Sequence, residues 1–343
     1  MTDDYRHCLI TGAACWVATA LALLLELENP YWATMTAWAM ALPGERVPTR
    51  RALLQILATA AGCFFGYEIG MRVEGRPIMQ LLAIFGVALG GTYLRFRSRF
   101  DFVWVLGAMS ALMLLAFTLY SPEMLYAAAR YRGYEIACGV AGVTIAQFAV
   151  GGLLRLEYPR GSASAPSPHA LDRRDALEIA LVGGFTVSIV PVIWYFFQLP
   201  FGSLLITMIA PLIALDAAFV EHPVRTHWRL VGAIVGGAFG VLAGAIAGDS
   251  FLLWSWALLG GTAACGYVSG GGRPWSAAGT MGGLAVVFSL VTGSGPTTDI
   301  LTILNRIAGI VIGIGIMIGV AYAVRLVFRA QFPPAVAVVR AVH

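Results

Sequence analysis

The sequence predicts an all-α polytopic membrane protein: about twelve transmembrane helices in two parallel six-helix repeats. Three observations point there. Apolar residues make up 59% of the 343 and charged residues only 12%, with a mean hydropathy of +0.80; soluble domains run near a quarter charged. Apolar runs recur along the chain at lengths able to cross a hydrocarbon core of about 30 Å. Arginines and glycines of the first half recur in the second.

The apolar segments lie at about 7–26, 31–43, 51–71, 77–94, 102–120, 132–154, 176–197, 202–219, 228–248, 251–269, 275–292 and 302–324. Leu/Ala/Gly-rich runs of this kind satisfy their own backbone hydrogen bonds as helices, and the short alternating segments of a membrane barrel are missing. The acidic-leaning MTDDYRH before the first run lacks the positive region of a signal peptide, so a retained span is expected. The second run is the shortest. Between the halves, EYPRGSASAPSPHALDRRD reads as a linker rich in Pro, Ser and charge. The expected division is a first repeat over 1–156, a cytoplasmic linker over 157–174, a second repeat over 175–330 and a cytoplasmic tail over 331–343.

Arginine placement orients the chain. With the N-terminus in the cytoplasm, 17 arginines fall on the cytoplasmic side and 5 (Arg72, Arg76, Arg130, Arg132 and Arg306) on the other. That asymmetry predicts both termini inside. The repeat is read from Arg51, Gly62, Gly66 and Gly70, each followed 178 positions later by Arg229, Gly240, Gly244 and Gly248. Leu89-Gly90-Gly91-Thr92 recurs as Leu259-Gly260-Gly261-Thr262, and Arg132 with Gly139 recurs as Arg306 with Gly313. Six spans per half make the repeat parallel, with a pseudo-twofold along the membrane normal. Gly232, Gly236, Gly240, Gly244 and Gly248 form a small-residue stripe suited to close helix packing.

Several chemistries are excluded. All 22 basic residues are arginine, so no Walker A lysine and no Schiff-base lysine exists. The five cysteines sit in apolar stretches without metal spacing. His222 and His227 are five apart, a poor spacing for a helical metal pair, and no hydrolase, HExxH or deaminase motif occurs. No enzyme, cofactor, bound metal or nucleic-acid partner is expected.

Charge inside the membrane is expensive and usually functional. Arg132 and Glu135, three apart, share a helix face. Arg306 repeats the arginine, but Gly309 replaces the glutamate. Both arginines stand near the outer ends of their spans, where snorkelling is the ordinary alternative. Arg51 and Arg229 begin spans at the cytoplasmic edge, where positive-inside anchoring is the ordinary alternative. Glu26, Glu68, Glu178 and Asp216 lie near span ends, each a proton relay or an interfacial residue; Asp216 corresponds roughly to Pro43. Tyr31 and Trp32 open the second span as interfacial belt residues, with Trp32 alternatively a stacking face for a flat ligand.

Pro30-Tyr31-Trp32-Ala33, a short span ending near Pro43, then Arg51 leading to Gly62 and Gly66, resembles the fusaric acid resistance family, the FUSC-domain proteins of the aromatic acid exporter superfamily. Arg132-Gly133-Tyr134-Glu135 to Gly139 resembles the family's closing helix, and Pro200-Phe201-Gly202, Arg229, Gly240, Arg306 and Gly313 make a weaker second copy. The resemblance implies a multi-pass protein of the bacterial inner membrane that exports aromatic carboxylic acids or related organic anions. It also implies a distant similarity to plant aluminium-activated malate transporters, and a periplasmic adaptor as partner. Family exporters carry a sizeable cytoplasmic domain between or after the membrane halves, whereas the linker here is under 20 residues. A homodimer through glycine faces is the expected self-assembly.

Such substrates pair a ring with a carboxylate, which an arginine fork and an aromatic face suit. Arg132 and Arg306 are the candidates for the anion at the outer half, Arg51 and Arg229 at the cytoplasmic mouth, and Trp32 for stacking. Glu135 and Asp216 are the candidates for proton coupling, since no ATP site exists. The alternatives are a passive organic-anion channel and a non-transporting membrane scaffold or assembly subunit.

Overall fold

The structure is a computed structural model, and it describes residues 3–42, 49–98, 100–153, 171–197, 203–215, 224–270, 275–293, 295–296 and 299–331. Among these the chain is all-helical: α1 (Asp3–Leu24), α2 (Tyr31–Ala41), α3 (Thr49–Val73), α4 (Pro77–Arg97), α5 (Asp101–Tyr120), α6 (Leu125–Leu153), α7 (Arg173–Phe197), α8 (Leu204–Ala214), α9 (Val224–Ala247), α10 (Phe251–Ser269), α11 (Ser276–Leu290) and α12 (Ile300–Gln331). Their ends follow local chemistry. Pro77 starts α4, where its missing N–H costs nothing, and the Asp299 carboxylate accepts from the N–H groups of Leu301 and Thr302 at the start of α12. α1 closes in a Schellman arrangement, with Leu27 N–H donating to Ala22 O and Glu26 N–H to Leu23 O. Glu26 takes the left-handed position there with φ 51°, so this exposed residue ends a helix.

Among the described residues, eight helices are long and apolar enough to cross a membrane. Large apolar side chains such as Leu57, Phe64, Leu82, Leu242 and Leu326 stand exposed around the outside, the surface a bilayer covers. The expectation of about twelve spans is trimmed at α2 and α8. Each has 11 residues, roughly 16 Å of helix, which is half a hydrocarbon core. Both are buried along nearly their whole length. The apolar part of α1 (Cys8–Leu24) and α11 are also short of a full span by length.

The two halves use the same packing partners. α3 lies on α5 and α9 on α11; α2 lies on α1 and α6, α8 on α7 and α12. Across the halves α4 meets α7 and α1 meets α10, while α2 touches α11 and α8 touches α5. Glycines set the closest approaches: a methyl group at Gly62 would run into the Gly107 carbonyl, and one at Gly236 into the Gly282 carbonyl. Helix ends agree with that pairing. Glu74 N–H donates to Gly70 O as Gly248 N–H does to Gly244 O, and Arg76 N–H to Val73 O as Ser250 N–H does to Ala247 O. Gln80 Nε2 donates to Thr118 O at 3.0 Å, and Trp254 Nε1 to Leu290 O at 2.7 Å.

In these contacts α3 and α9 correspond at 174 positions, as in Gly62 with Gly236, and not at the 178 read from sequence. The slip is one helical turn. A stripe with a glycine every four residues matches itself when shifted by four, so sequence could not fix its register. Gln55, not Arg51, then answers Arg229, and both Gln55 and Arg229 are buried.

Two other boundaries move. α7 begins at Arg173, so the last two residues assigned to the linker are helical. Leu171, just before it, is held to α4: its N–H donates to Phe96 O, and Arg97 donates to its carbonyl at 3.0 Å. The rest of the expected linker, apart from Asp172, and the tail after Gln331 lie outside the described residues.

Candidate functional site: two arginines on an aromatic pair

The sixth span was expected to begin at Arg132, but α6 begins at Leu125, after a single 3-10 turn over Pro122–Met124. Arg132 therefore sits about two turns inside its helix. Arg306 likewise lies inside α12, which starts at Ile300. This overturns snorkelling: Arg132 is 1% exposed and Arg306 9%. Polar Tyr/Arg-containing first turns read as interface because sequence shows their composition and not what packs over them.

Each guanidinium lies on one ring of α2's opening pair. Arg132 Cζ is 4.5 Å from the Trp32 ring centroid, and Arg306 Cζ is 4.7 Å from that of Tyr31. The two rings are 5.1 Å apart, and Phe288 of α11 packs against both, at 5.4 Å from Tyr31 and 6.3 Å from Trp32. Desolvated cation–π contacts of this kind are worth about 2 kcal/mol. The membrane-belt reading of Tyr31 and Trp32 is overturned, since Trp32 is 1% and Tyr31 7% exposed. A short helix that turns inward buries residues that would mark an interface on a full span.

The arginines differ in their other partners. Arg132 donates to the Glu135 carboxylate at 3.4 Å, both side chains being buried, and its Nε has no hydrogen-bond partner among the described residues. Arg306 donates to the carbonyls of Phe288 (3.2 Å), Val291 (2.9 Å) and Thr292 (3.3 Å). It thereby caps the C-terminus of α11, where the helix dipole favours a cation. Gly309, which replaces Glu135 in the second half, lies against Thr207 Oγ1 and Ser203, with no room for a side chain.

Above this group is a cavity of about 250 Å³. Tyr31, Trp32, Arg306, Glu135 and Leu205 line it, with Phe117, Tyr120 and Tyr131 as further aromatic wall and Glu28 and Asn29 from the α1–α2 turn. Arg132 does not line it and lies against Trp32. The N-terminal ends of α2 and α8 both meet the cavity, through Tyr31 and Leu205, so two positive helix-dipole ends add to the guanidinium. The cavity thus offers one cation, oriented dipoles and several ring faces, with two carboxylates, Glu28 and Glu135, in its wall.

Of the sequence candidates, Trp32, Arg132, Arg306 and Glu135 come together. Arg229 does not line the cavity; it is buried near the start of α9. The side chain of Arg51 and all of Asp216 lie outside the described residues. Sequence reasoning missed Tyr31 as a site residue, although it adjoins Trp32, and gave no signal for Phe288. Glu178, read near a span end, instead accepts from Arg325 Nε at 3.2 Å and ties α7 to α12.

Residues 15–146 match the family model described as fusaric acid resistance protein-like. The matched stretch contains α2, Trp32, Arg132 and Glu135 and ends before Arg306. No curated protein and no solved structure matched the chain, and the expected similarity to plant malate transporters gains no support. The protein is a multi-pass membrane protein whose first half carries a transporter-type domain.

Proposed function

We propose that this protein exports aromatic carboxylic acids, or closely related organic anions, across the bacterial inner membrane with both termini in the cytoplasm. The observation that carries this reading is Arg306, stacked on Tyr31 and facing a cavity of about 250 Å³. That volume lies just below the range of drug-sized pockets, roughly 300–1,000 Å³, and suits a single-ring acid. The carboxylate would meet the Arg306 N–H groups not used on α11 and the N-terminal ends of α2 and α8. The ring would lie against Tyr31, Phe117 and Tyr120. The arginine asymmetry of 17 against 5 supports the orientation, which puts this cavity on the outer side. The shared packing partners support two parallel repeats about a pseudo-twofold along the membrane normal.

Export against a gradient needs a driving force. Glu135, in the cavity wall beside Arg132, is the residue proposed to carry the coupling proton. A passive anion path is the second reading, because an inside-negative potential by itself favours anion exit by about 2.3 kcal/mol per 100 mV. Proteoliposome flux separates the two: carrier export of 4-hydroxybenzoate follows an imposed pH gradient and loses that dependence in Glu135→Gln, whereas a channel follows voltage alone. The substrate assignment is tested by binding. Arg306→Ala together with Arg132→Ala should weaken 4-hydroxybenzoate affinity about 10- to 100-fold, as loss of charge-assisted bonds of roughly 1.5–3 kcal/mol implies. Arg306→Lys should retain part of it. Unchanged affinity in the double variant would refute the site.

A further inference from the structure

A second cavity, of about 180 Å³, lies toward the other end of α2 and shares no lining residue with the first. Its residues continue the same three helices. On α2 the first cavity takes Tyr31 and Trp32, and the second begins at Met35. On the oppositely running α5 the first takes Met113, Phe117 and Tyr120, and the second begins at Met109. On α8 the first takes Leu205 and the second Ile213. The cavities are therefore stacked along one line. Only about one helical turn of α2 and of α5, roughly 5 Å, separates them.

We propose that the second cavity is the inner vestibule of the transport path, and that the turn Trp32–Met35, buried in one apolar cluster with Met109 and Met113, is its closed gate. This rests on the reading of the first cavity as the anion site. The septum is dry: Trp32, Met35, Met109 and Met113 are each at most 3% exposed. Methionine side chains have three rotatable bonds and fill irregular gaps, so they can swing aside without unfolding a helix. α2 cannot retreat on its other side, because Gly139 of α6 leaves no room: a methyl group there would come 2.6 Å from Thr36 Cβ and 2.7 Å from Ala33 O. Opening thus falls to the α5 side.

The second cavity also holds one cation, one carboxylate and a ring face. Arg95 lines it and caps α8 by donating to Leu212 O at 2.9 Å. Gln55 and Asp101 add polar wall. Trp38 lines it too, with its indole Nε1 buried and without a hydrogen-bond partner among the described residues. The ligand class is the same aromatic carboxylate, entering from the cytoplasm.

Sided thiol labelling tests the gate without any substrate. Met113→Cys and Met109→Cys are made singly in the full chain, and the increment over the parent protein is read with a membrane-impermeant methanethiosulfonate in right-side-out and inside-out vesicles. Met113→Cys should react only from the outer face and Met109→Cys only from the inner. Ala128→Cys and Ala39→Cys, one per cavity, repeat the test should a methionine variant fold poorly. Reaction of both positions from the same face, or of neither pair from either face, overturns the gate. Sided labelling with no 4-hydroxybenzoate binding leaves the path standing and removes the substrate reading; binding with one-sided labelling does the reverse. Met109→Ala with Met113→Ala should raise passive 4-hydroxybenzoate leak about tenfold, and an unchanged leak counts against the methionine gate.

Discussion

The two halves hold the same arginine in the same place and partner it differently. Arg132 meets a carboxylate, Glu135, and lies on Trp32 away from the cavity. Arg306, 174 positions later, has Gly309 where the glutamate would stand, and binds three carbonyls at the end of α11 while facing the cavity. The paired short helices differ in the same way, with Tyr31 and Trp32 opening α2 and Leu204 and Leu205 opening α8. The scaffold is shared, and the chemistry lies where the halves differ. One arginine is paired with a buried carboxylate; the other is held by backbone carbonyls and faces the cavity.

The largest effect should come from breaking the carboxylate-paired member. Glu135→Gln leaves Arg132 as a buried charge without its carboxylate, a loss that typically costs about 3–5 kcal/mol. Apparent melting temperature in detergent should fall sharply, and combining it with Arg132→Met should restore most of it. A double variant no more stable than the single one would mean that the pair is not a unit.

The glycine contacts should respond alike in the two halves. Gly62→Ala and Gly236→Ala each drive a methyl group into a neighbouring backbone, and overpacking of this kind costs about 1–3 kcal/mol. Gly90→Ala, which meets nothing within 4 Å among the described residues, should instead gain up to about 1 kcal/mol from helix propensity. Thermal unfolding of the three variants gives the order, and a stable Gly236→Ala would break the equivalence of α3–α5 and α9–α11.

Removing the ring shared with Arg132 should cost less chemistry than volume. Trp32→Phe loses part of the cation–π contact, about 1–2 kcal/mol, and tryptophan fluorescence should show how far that contact quenches or shifts emission. The smallest change is Glu26→Gly at the end of α1. Glycine relieves roughly 1–2 kcal/mol of left-handed strain against about 0.4–1 kcal/mol of added unfolded-state entropy, so stability should rise by about 1 kcal/mol or less, with transport unchanged if Glu26 only ends a helix.

Much of this architecture was readable from residues. The apolar runs located all twelve helices to within several residues, because a segment that must hide its backbone in hydrocarbon has one regular form available. Arg132, Arg306, Glu135 and Trp32 were singled out as charge and aromatic groups in an apolar chain, and they do meet. The glycine register was not readable, since a four-residue period looks the same after a four-residue shift. Tyr31 reads as a belt residue because Tyr and Trp at the start of a run are what a membrane interface also selects.

Sequence by itself determined the solvent this protein lives in, its helical form and which charges are costly. Those properties follow from composition and local hydrogen bonding, which each segment carries with it. Tertiary structure decided what those charges do. That α2 and α8 are buried, that Arg306 faces a cavity while Arg132 does not, and that a second cavity lies one turn beyond the first depend on packing between helices far apart in the chain, such as that which puts Arg95 on Leu212. Packing geometry at that range is set by which side chains leave room for which neighbours, and no single segment contains it.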